Sequence, residues 1–232
     1  MPEENKLLAA SVLESIRLIA IHHGLWFAET VHQFGIEKAL EAETKAGGQA
    51  VSMALSRLGF AGNPFEEMPP ERLEALLGAL GKLWLGLDGV WFQAVEGIEG
   101  MDGAKRVNDT CWARFAPLEA VRMKALLGLP EQGGLDALEA ALRHRCNSRI
   151  NEVDITREGD ALFLRFVDCR VQAARRRKGL PDYPCKSAGV TEYHGFASFV
   201  DRRVVTQCLA CPPDLLPEGE FCSWRFTLAG GA

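Results

Sequence analysis

The residues with the clearest chemical potential are the cysteines, of which the chain has seven. Five of them fall late in the sequence: Cys169, Cys185, Cys208, Cys211 and Cys222. Cys208-Leu-Ala-Cys211 is a C-x2-C motif, and the Pro212-Pro213 that follows it is typical of a rigid exit from a tight turn. Two thiolates at this spacing can bind one tetrahedral metal ion through Zn–S bonds of about 2.3 Å. The motif therefore indicates a metal site.

Two more thiols are expected beside this turn. Cys222 begins a predicted strand that pairs back next to it, and Cys185 follows Pro184 in an earlier loop. The predicted metal ligands are thus Cys185, Cys208, Cys211 and Cys222. Zinc is the first candidate, and an iron–sulfur cluster is the alternative because four cysteines suit it equally well. Four protein thiolates leave no open coordination position, which favours a structural metal.

Two interpretations without a metal stay open. Free cysteines are often buried as small core residues. A C-x-x-C pair can also be redox-active, but such a pair normally begins a helix, which Pro212-Pro213 disfavours.

Three further residues are weaker catalytic candidates. Cys169 precedes a basic run, Arg170 to Lys178, and nearby positive charge lowers the pKa of a thiol. One interpretation is that Cys169 is a nucleophile or a fifth metal ligand. The other is that it is a buried residue at the end of a strand. Tyr193 and His194 lie together on a predicted helix and are candidates for acid–base catalysis, against an ordinary core or surface position.

The elements that position these residues follow from hydrophobic periodicity. Residues 4 to about 147 have helical spacing, with a helix from Ile36 to Leu58 and a predicted break between residues 97 and 104. Beyond them, a turn at Glu158-Gly159-Asp160 joins two alternating segments, and two more strands are expected near residues 204–209 and 221–228. We predict an α+β fold, in which a helical region (1–147) packs on a C-terminal antiparallel sheet (148–232) with the four-cysteine site.

The helical region contains an internal repeat, since residues 23–39 align without gaps with residues 88–104. The identical pairs are Gly24/Gly89, Trp26/Trp91, Phe27/Phe92, Gly35/Gly100 and Ala39/Ala104. One interpretation is a pair of similar helical units that pack their Trp-Phe dipeptides into a core. The other is an apolar pocket for a small-molecule ligand, lined by Trp26, Phe27, Trp91 and Phe92. Acidic residues in these helices, Asp88 among them, either face solvent separately or bind a cation or an amine as a pair.

Composition excludes several classes. The chain has 26 basic and 31 acidic residues and a net charge of −5, without the basic body of a nucleic-acid-binding protein. Its acidic start is unlike a signal peptide. Asp88 and Glu96 interrupt the apolar stretch from Leu83 to Gly97, so we expect no membrane span and a cytoplasmic location.

Several segments carry a resemblance to known families. They are Cys169, Lys178–Lys186, Glu192–Phe196, Cys208–Asp214 and Phe221–Phe226. Through them, residues 169–228 resemble an uncharacterised prokaryotic family labelled "cytosolic protein" and, more distantly, the L-2-amino-thiazoline-4-carboxylate hydrolase family. The second resemblance implies a hydrolase that acts on a small cyclic or amide substrate through Cys169, His194 or a metal-activated water.

The strand–helix–strand ending also resembles the 4-vinyl-reductase-like small-molecule-binding domain, in which Cys, Glu, Cys and Cys hold zinc. By this resemblance, Cys185 matches the first ligand, Cys208 the glutamate, Cys211 the second cysteine and Cys222 the last. A thiolate here replaces a carboxylate. The resemblance implies a structural zinc, a small-molecule ligand and a homodimer. Our first expectation is therefore a zinc-dependent small-molecule-binding protein; a hydrolase and an iron–sulfur protein are the alternatives.

Overall fold

The computed structural model describes residues 3–216 and 219–230. The chain divides into two compact units, Met1–Glu66 and Glu67–Ala232. In the described part of the chain, the regular elements of the first unit are helices, whereas the second unit has helices and the four-stranded sheet. The predicted boundary between helical and α+β regions, at residues 147/148, therefore lies inside the second unit.

The first unit is a helical hairpin of α1 (Glu3–Phe34) and α2 (Ile36–Arg57). Gly35 joins the two helices with φ 83° and ψ 167°, a conformation that is essentially restricted to glycine. The chain can therefore reverse within one residue. Ala39 and Leu40 are buried in this unit.

The second unit begins with another helical hairpin, α3 (Pro70–Leu127), because Gly100 interrupts the helix with φ 73° and ψ 177°. The indole of Trp84, on the first arm, stacks on Phe115 of the second arm with ring centroids 6.0 Å apart. This contact shows that the two arms lie side by side. The helix break predicted between residues 97 and 104 is confirmed, and Gly100 alone makes it.

By length and composition alone, two stretches are apolar enough to cross a membrane: Asn5–Phe34, with mean hydropathy 1.2, and α3, with 1.3. Long helices of a water-soluble bundle pass the same test. The expected absence of a membrane span and the cytoplasmic location therefore stay predictions.

Smaller helices and the sheet complete the second unit. Its remaining elements are α4 (Gly134–His144), α5 (Cys146–Ile150), β1 (Glu152–Glu158), β2 (Ala161–Asp168), α6 (Arg170–Arg177), α7 (Lys186–Val200), β3 (Val204–Ala210) and β4 (Cys222–Leu228). The four strands form one antiparallel sheet with the order β1-β2-β4-β3. The predicted hairpin turn is confirmed, since Glu158 pairs with Ala161 around Gly159.

One face of the sheet forms the main core. Leu162 and Leu164 of β2 and Trp224 and Phe226 of β4 are almost fully buried on this face, as their alternation predicts. Helices α4 and α7 cover it, and α7 also packs on the second arm of α3. The α+β class, with helices before an antiparallel sheet, is therefore confirmed.

The internal repeat corresponds to the two hairpins. Gly35 and Gly100 occupy the same aligned position and have nearly the same backbone conformation. Ala39 and Ala104, about one helical turn later, are each only 1% exposed. The repeated sequence thus encodes the same structural unit twice: a helix, a glycine bend and a helix whose first turn buries an alanine.

Candidate metal centre

Four cysteine thiols lie near one another in the second unit. Cys185 is the residue before α7, Cys208 lies in β3, Cys211 follows β3, and Cys222 begins β4. The Sγ atoms of Cys185 and Cys211 are 3.5 Å apart, and both residues are free thiols, so the contact is not a disulfide. The thiol of Cys222 interacts with that of Cys211, and Cys208 is close enough to influence both members of the pair electrostatically.

These thiols do not by themselves form a complete metal cage. Across residues 3–216 and 219–230, no three His, Cys, Asp or Glu side chains have the arrangement of a metal site. Among the predicted ligands, Cys185 and Cys211 are in direct Sγ–Sγ contact. The four-cysteine centre therefore stays a proposal that depends on this pair and the two thiols around it.

The end of β3 is shaped so that Cys211 faces α7. The β3–β4 register is irregular between Cys208 and Ala210, which bends the strand away from its partner. A turn then follows: Asp214 N donates to Cys211 O over 2.9 Å. The N–H of Lys186 donates to Pro212 O over 2.9 Å, and its ammonium contacts the carboxylate of Asp214. The turn with Cys211 is thereby tied to the residue that follows Cys185.

A buried glutamine holds the loop that carries Cys185. Gln172 of α6 is 1% exposed; its Oε1 accepts from Tyr183 N over 2.8 Å and its Nε2 donates to Tyr183 O over 2.9 Å. The same Nε2 lies 3.7 Å from Cys185 Sγ. Gln172 therefore fixes the approach of Cys185 to the thiol cluster. The sequence does not predict this role, because a lone glutamine in an arginine-rich helix has no pattern that signals burial.

The surroundings favour protonated thiols. The hydrogen bond with Cys211, and then burial, raise the pKa of Cys185 far above its ordinary value. The hydrogen bond with Cys185 lowers the pKa of Cys211, but the hydrogen bond with Cys222 and burial together raise it. Any metal that these residues bind must therefore displace protons, which couples metal affinity to pH.

Two of the predicted catalytic candidates, Tyr193 and Cys169, are close enough to interact electrostatically. Tyr193 is buried and packs on the indole of Trp224 with ring centroids 4.6 Å apart, whereas the next residue, His194, is exposed. The pKa of Cys169 is raised because burial outweighs the hydrogen bonds that it accepts, so the lowering expected from the basic run is wrong. Burial has the largest effect on this thiol, and the guanidinium of Arg176, although near enough to interact with Cys169, is paired with Asp182 at 2.7 Å.

The predicted pocket residues belong to different compact units. Trp26 and Phe27 line a groove between α1 and α2 with a volume of about 350 Å³. In the second unit, Trp91 is largely exposed and Phe92 packs edge-on against Tyr183, with ring centroids 5.0 Å apart. A shared pocket of all four residues stays a prediction.

A buried ion-pair network lies beside these elements and was not found from the sequence. Arg145, 1% exposed, donates to Glu119 Oε2 over 2.6 Å and to Glu192 Oε1 over 2.7 Å. Its guanidinium also lies 4.4 Å from the ring centroid of Phe196. Burial raises the pKa of Glu192 to about 6, although the charge of Arg145 opposes this shift. Two carboxylates thus share one guanidinium in the core.

The second unit is therefore an α+β domain with a thiol cluster at the junction of a helix and two strands. A family model described as "Family of unknown function (DUF6125)" matches residues 66–228. The chain belongs to this family, and the matched segment coincides with the second compact unit and contains all four clustered cysteines. Comparisons with curated proteins and with solved structures find no match.

Proposed function

We propose that the chain is a metal-binding protein in which Cys185, Cys208, Cys211 and Cys222 hold one structural zinc ion. The observation that carries the proposal is the 3.5 Å contact between Cys185 Sγ and Cys211 Sγ. Two sulfurs bound to one tetrahedral zinc at about 2.3 Å each lie roughly 3.8 Å apart. The observed separation is close to this value and far longer than a disulfide bond of about 2.05 Å.

A zinc ion bound here would be a cross-link. It would join the start of α7 to the end of β3 and the start of β4, three points that are distant along the chain. A shell of four thiolates leaves no position for a substrate, so the role of the ion is structural. Zinc bound in this way contributes about 10–16 kcal/mol of apparent binding energy in small zinc-finger peptides, and its removal should unfold the surrounding region.

The second part of the proposed function is small-molecule binding. The α1–α2 groove has aromatic and aliphatic walls and a volume near the lower end of the range for ligand pockets, which is about 300–1,000 Å³. Its lining includes Trp26 and Phe27, two of the residues predicted for this role. The zinc stabilises the second unit, while the ligand binds in the first.

The metal is tested by anaerobic purification of the full chain, elemental analysis and a visible absorption spectrum. We expect a colourless protein with one zinc per chain. Replacement of that zinc by Co²⁺ should give the intense visible bands of a tetrahedral cobalt–thiolate centre.

The ligands are tested by substitution. Cys211→Ser should lose the zinc and unfold at a lower temperature, whereas Cys111→Ser, at an exposed thiol outside the cluster, should change neither property. A brown protein that contains iron and sulfide would mean that the site holds an iron–sulfur cluster and not zinc. Absence of any metal, or retention of zinc by Cys211→Ser, would contradict the proposed site.

A further inference from the structure

The α1–α2 groove is lined mostly by apolar side chains and includes a few polar ones. Trp26 and Phe27 form one side, and alanines of α2 with Met53 form the other. The polar side chains that face the groove are His23, Thr30, Glu43 and Gln49. Thr30 already donates its hydroxyl proton to Trp26 O over 2.7 Å. Among the described residues, neither lysine nor arginine lines the groove.

Glu43 carries an unpaired acceptor into this groove. Its Oε2 is buried and has no hydrogen-bond partner in the described part of the chain. The other oxygen, Oε1, lies beside the Cα of Gly47 one turn later, where any larger residue would clash with it. A carboxylate that loses water without gaining a partner is costly, so this oxygen needs a donor or a cation.

The second hairpin has a similar feature. Asn108 stands four residues beyond the aligned segment, as Glu43 does in the first hairpin, and within the described residues its Oδ1 is also buried without a hydrogen-bond partner. The residue aligned with His23 is Asp88, whose pKa is raised by burial. Each hairpin therefore has, in the helix after its glycine bend, a buried acceptor oxygen with no partner among the described residues. The repetition indicates that the unpaired oxygen is a property of the hairpin and not of one side chain.

We propose that the α1–α2 groove binds a small hydrophobic amine in its protonated form. The ammonium group donates to Glu43 Oε2, and the apolar part lies against Phe27 and Trp26. An ionised carboxylate only accepts hydrogen bonds, and an aromatic ring attracts a cation to its face, so both features favour a positive ligand. An anion would be repelled by Glu43, and a neutral ligand could at most donate a hydrogen bond and would leave the charge of the carboxylate uncompensated. This inference rests on the proposed small-molecule pocket and adds the class of its ligand.

The test compares three probes of nearly equal shape on the full-length protein by calorimetry. They are 1-naphthylmethylamine, 1-naphthylmethanol and 1-naphthoate, which are positive, neutral and negative at pH 7. We expect the amine to bind at least about tenfold more tightly than the alcohol, and the acid to bind most weakly. Such a ratio corresponds to about 1.4 kcal/mol.

The decisive variant is Glu43→Gln, which keeps the shape of the side chain and removes its charge. It should weaken binding of the amine about tenfold and leave binding of the alcohol within twofold. The matched control is Glu41→Gln, at an exposed position of the same helix where the carboxylate is paired with Lys45. This control should bind the amine like the unmodified chain.

The outcomes separate the two proposals. If amine and alcohol bind equally well, the inference of an amine ligand is wrong, while the apolar pocket stands. If naphthoate binds best, or if Glu41→Gln weakens amine binding as much as Glu43→Gln, the assigned role of Glu43 is wrong. If none of the three probes binds, both the pocket and its ligand class are wrong.

Discussion

Gly189 of α7 lies directly against the indole of Trp224 on β4. A Cβ atom at Gly189 would come 2.8 Å from Trp224 Cζ2 and 3.7 Å from Cys211 Sγ. Trp224 is fully buried. A side chain as small as glycine is therefore what lets α7 approach both the sheet and the thiol cluster.

We expect Gly189→Ala to lower the free energy of unfolding by about 1–3 kcal/mol, because overpacking against the indole outweighs the helix propensity of alanine. Gly195→Ala on the same helix is the control, since its Cβ would meet Ala116 and Pro117 at ordinary contact distances of 3.4 Å and 3.5 Å. Denaturant unfolding of both variants measures the difference. Equal stability of Gly189→Ala and the unmodified chain would contradict the close contact.

The bend of the α3 hairpin gives a second prediction. Gly100→Ala should destabilise the protein by about 1–3 kcal/mol, because an L-residue at φ 73° and ψ 177° is strained. Gly97→Ala lies one turn earlier, in regular helix with open space around its Cα, and should be neutral or stabilising by up to about 1 kcal/mol. Thermal unfolding of the two variants checks this. A neutral Gly100→Ala would mean that the bend is not required.

Glu192 should make stability depend on pH. Its pKa is about 6 in the folded protein against an ordinary 4.5, so the folded state favours the protonated carboxyl. The stability that this carboxyl adds to the folded state is present in full below pH 4.5 and is lost as the pH rises through 6, a change of about 2 kcal/mol in the free energy of unfolding. Glu192→Gln lacks this titration, so its stability relative to the unmodified chain should increase by about that amount between pH 4 and pH 7.

Unfolding at a series of pH values measures the difference between the two proteins, which removes effects that they share, such as loss of metal in acid. Glu71→Gln, at an exposed position of α3, is the control. A pH-independent difference for Glu192→Gln would show that the carboxyl does not titrate in this range.

Asp201 joins α7 to the start of α4. Its Oδ2 accepts from Gly134 N over 2.8 Å and from the guanidinium of Arg203 over 2.7 Å. The hydrogen bond from Arg203 holds the pKa of Asp201 well below its usual range. The stabilisation is therefore present above the ordinary pKa of 3.8 and is lost as the pH falls.

Asp201→Asn should cost about 1–3 kcal/mol at pH 7, since a charge-assisted hydrogen bond is lost and a buried N–H loses its best acceptor. The cost should shrink in acid, because below the ordinary pKa of 3.8 the unfolded state of the unmodified chain takes up a proton at Asp201 that the folded state does not. Asp168→Asn, at an exposed strand end, should have little effect at either pH. Denaturant titrations at pH 7 and pH 3 compare the variants.

Local patterns in the sequence predicted much of this fold. The alternation after Gly159 identifies β2, and the glycine that follows Leu58 ends α2 close to where it is observed. The predicted helix near residues 191–199 begins earlier, at Lys186, because its first turn is stabilised by a distant partner, Pro212 O. The low helix propensity of glycine makes Gly189 look like a loop residue. Its place in α7 is explained by its close contact with Trp224, which is distant along the chain.

The same distinction applies to the site. The thiols of the candidate centre were found because a C-x2-C motif is visible within four residues. Gln172 and Arg145 were not found because the groups that bury them, Tyr183 in one case and Glu119 with Glu192 in the other, are distant along the chain. Neither glutamine nor arginine is a residue type whose sequence context predicts burial.

The strand order has a consequence for biosynthesis. β4 lies between β2 and β3, and it follows both of them along the chain. During synthesis, β2 and β3 are therefore complete before β4, and the strand edges that β4 will join have no partner until then. Such intermediates attract chaperones and tend to aggregate. A chain that ends before Cys222 should therefore leave β2 and β3 unjoined, whatever its helices do.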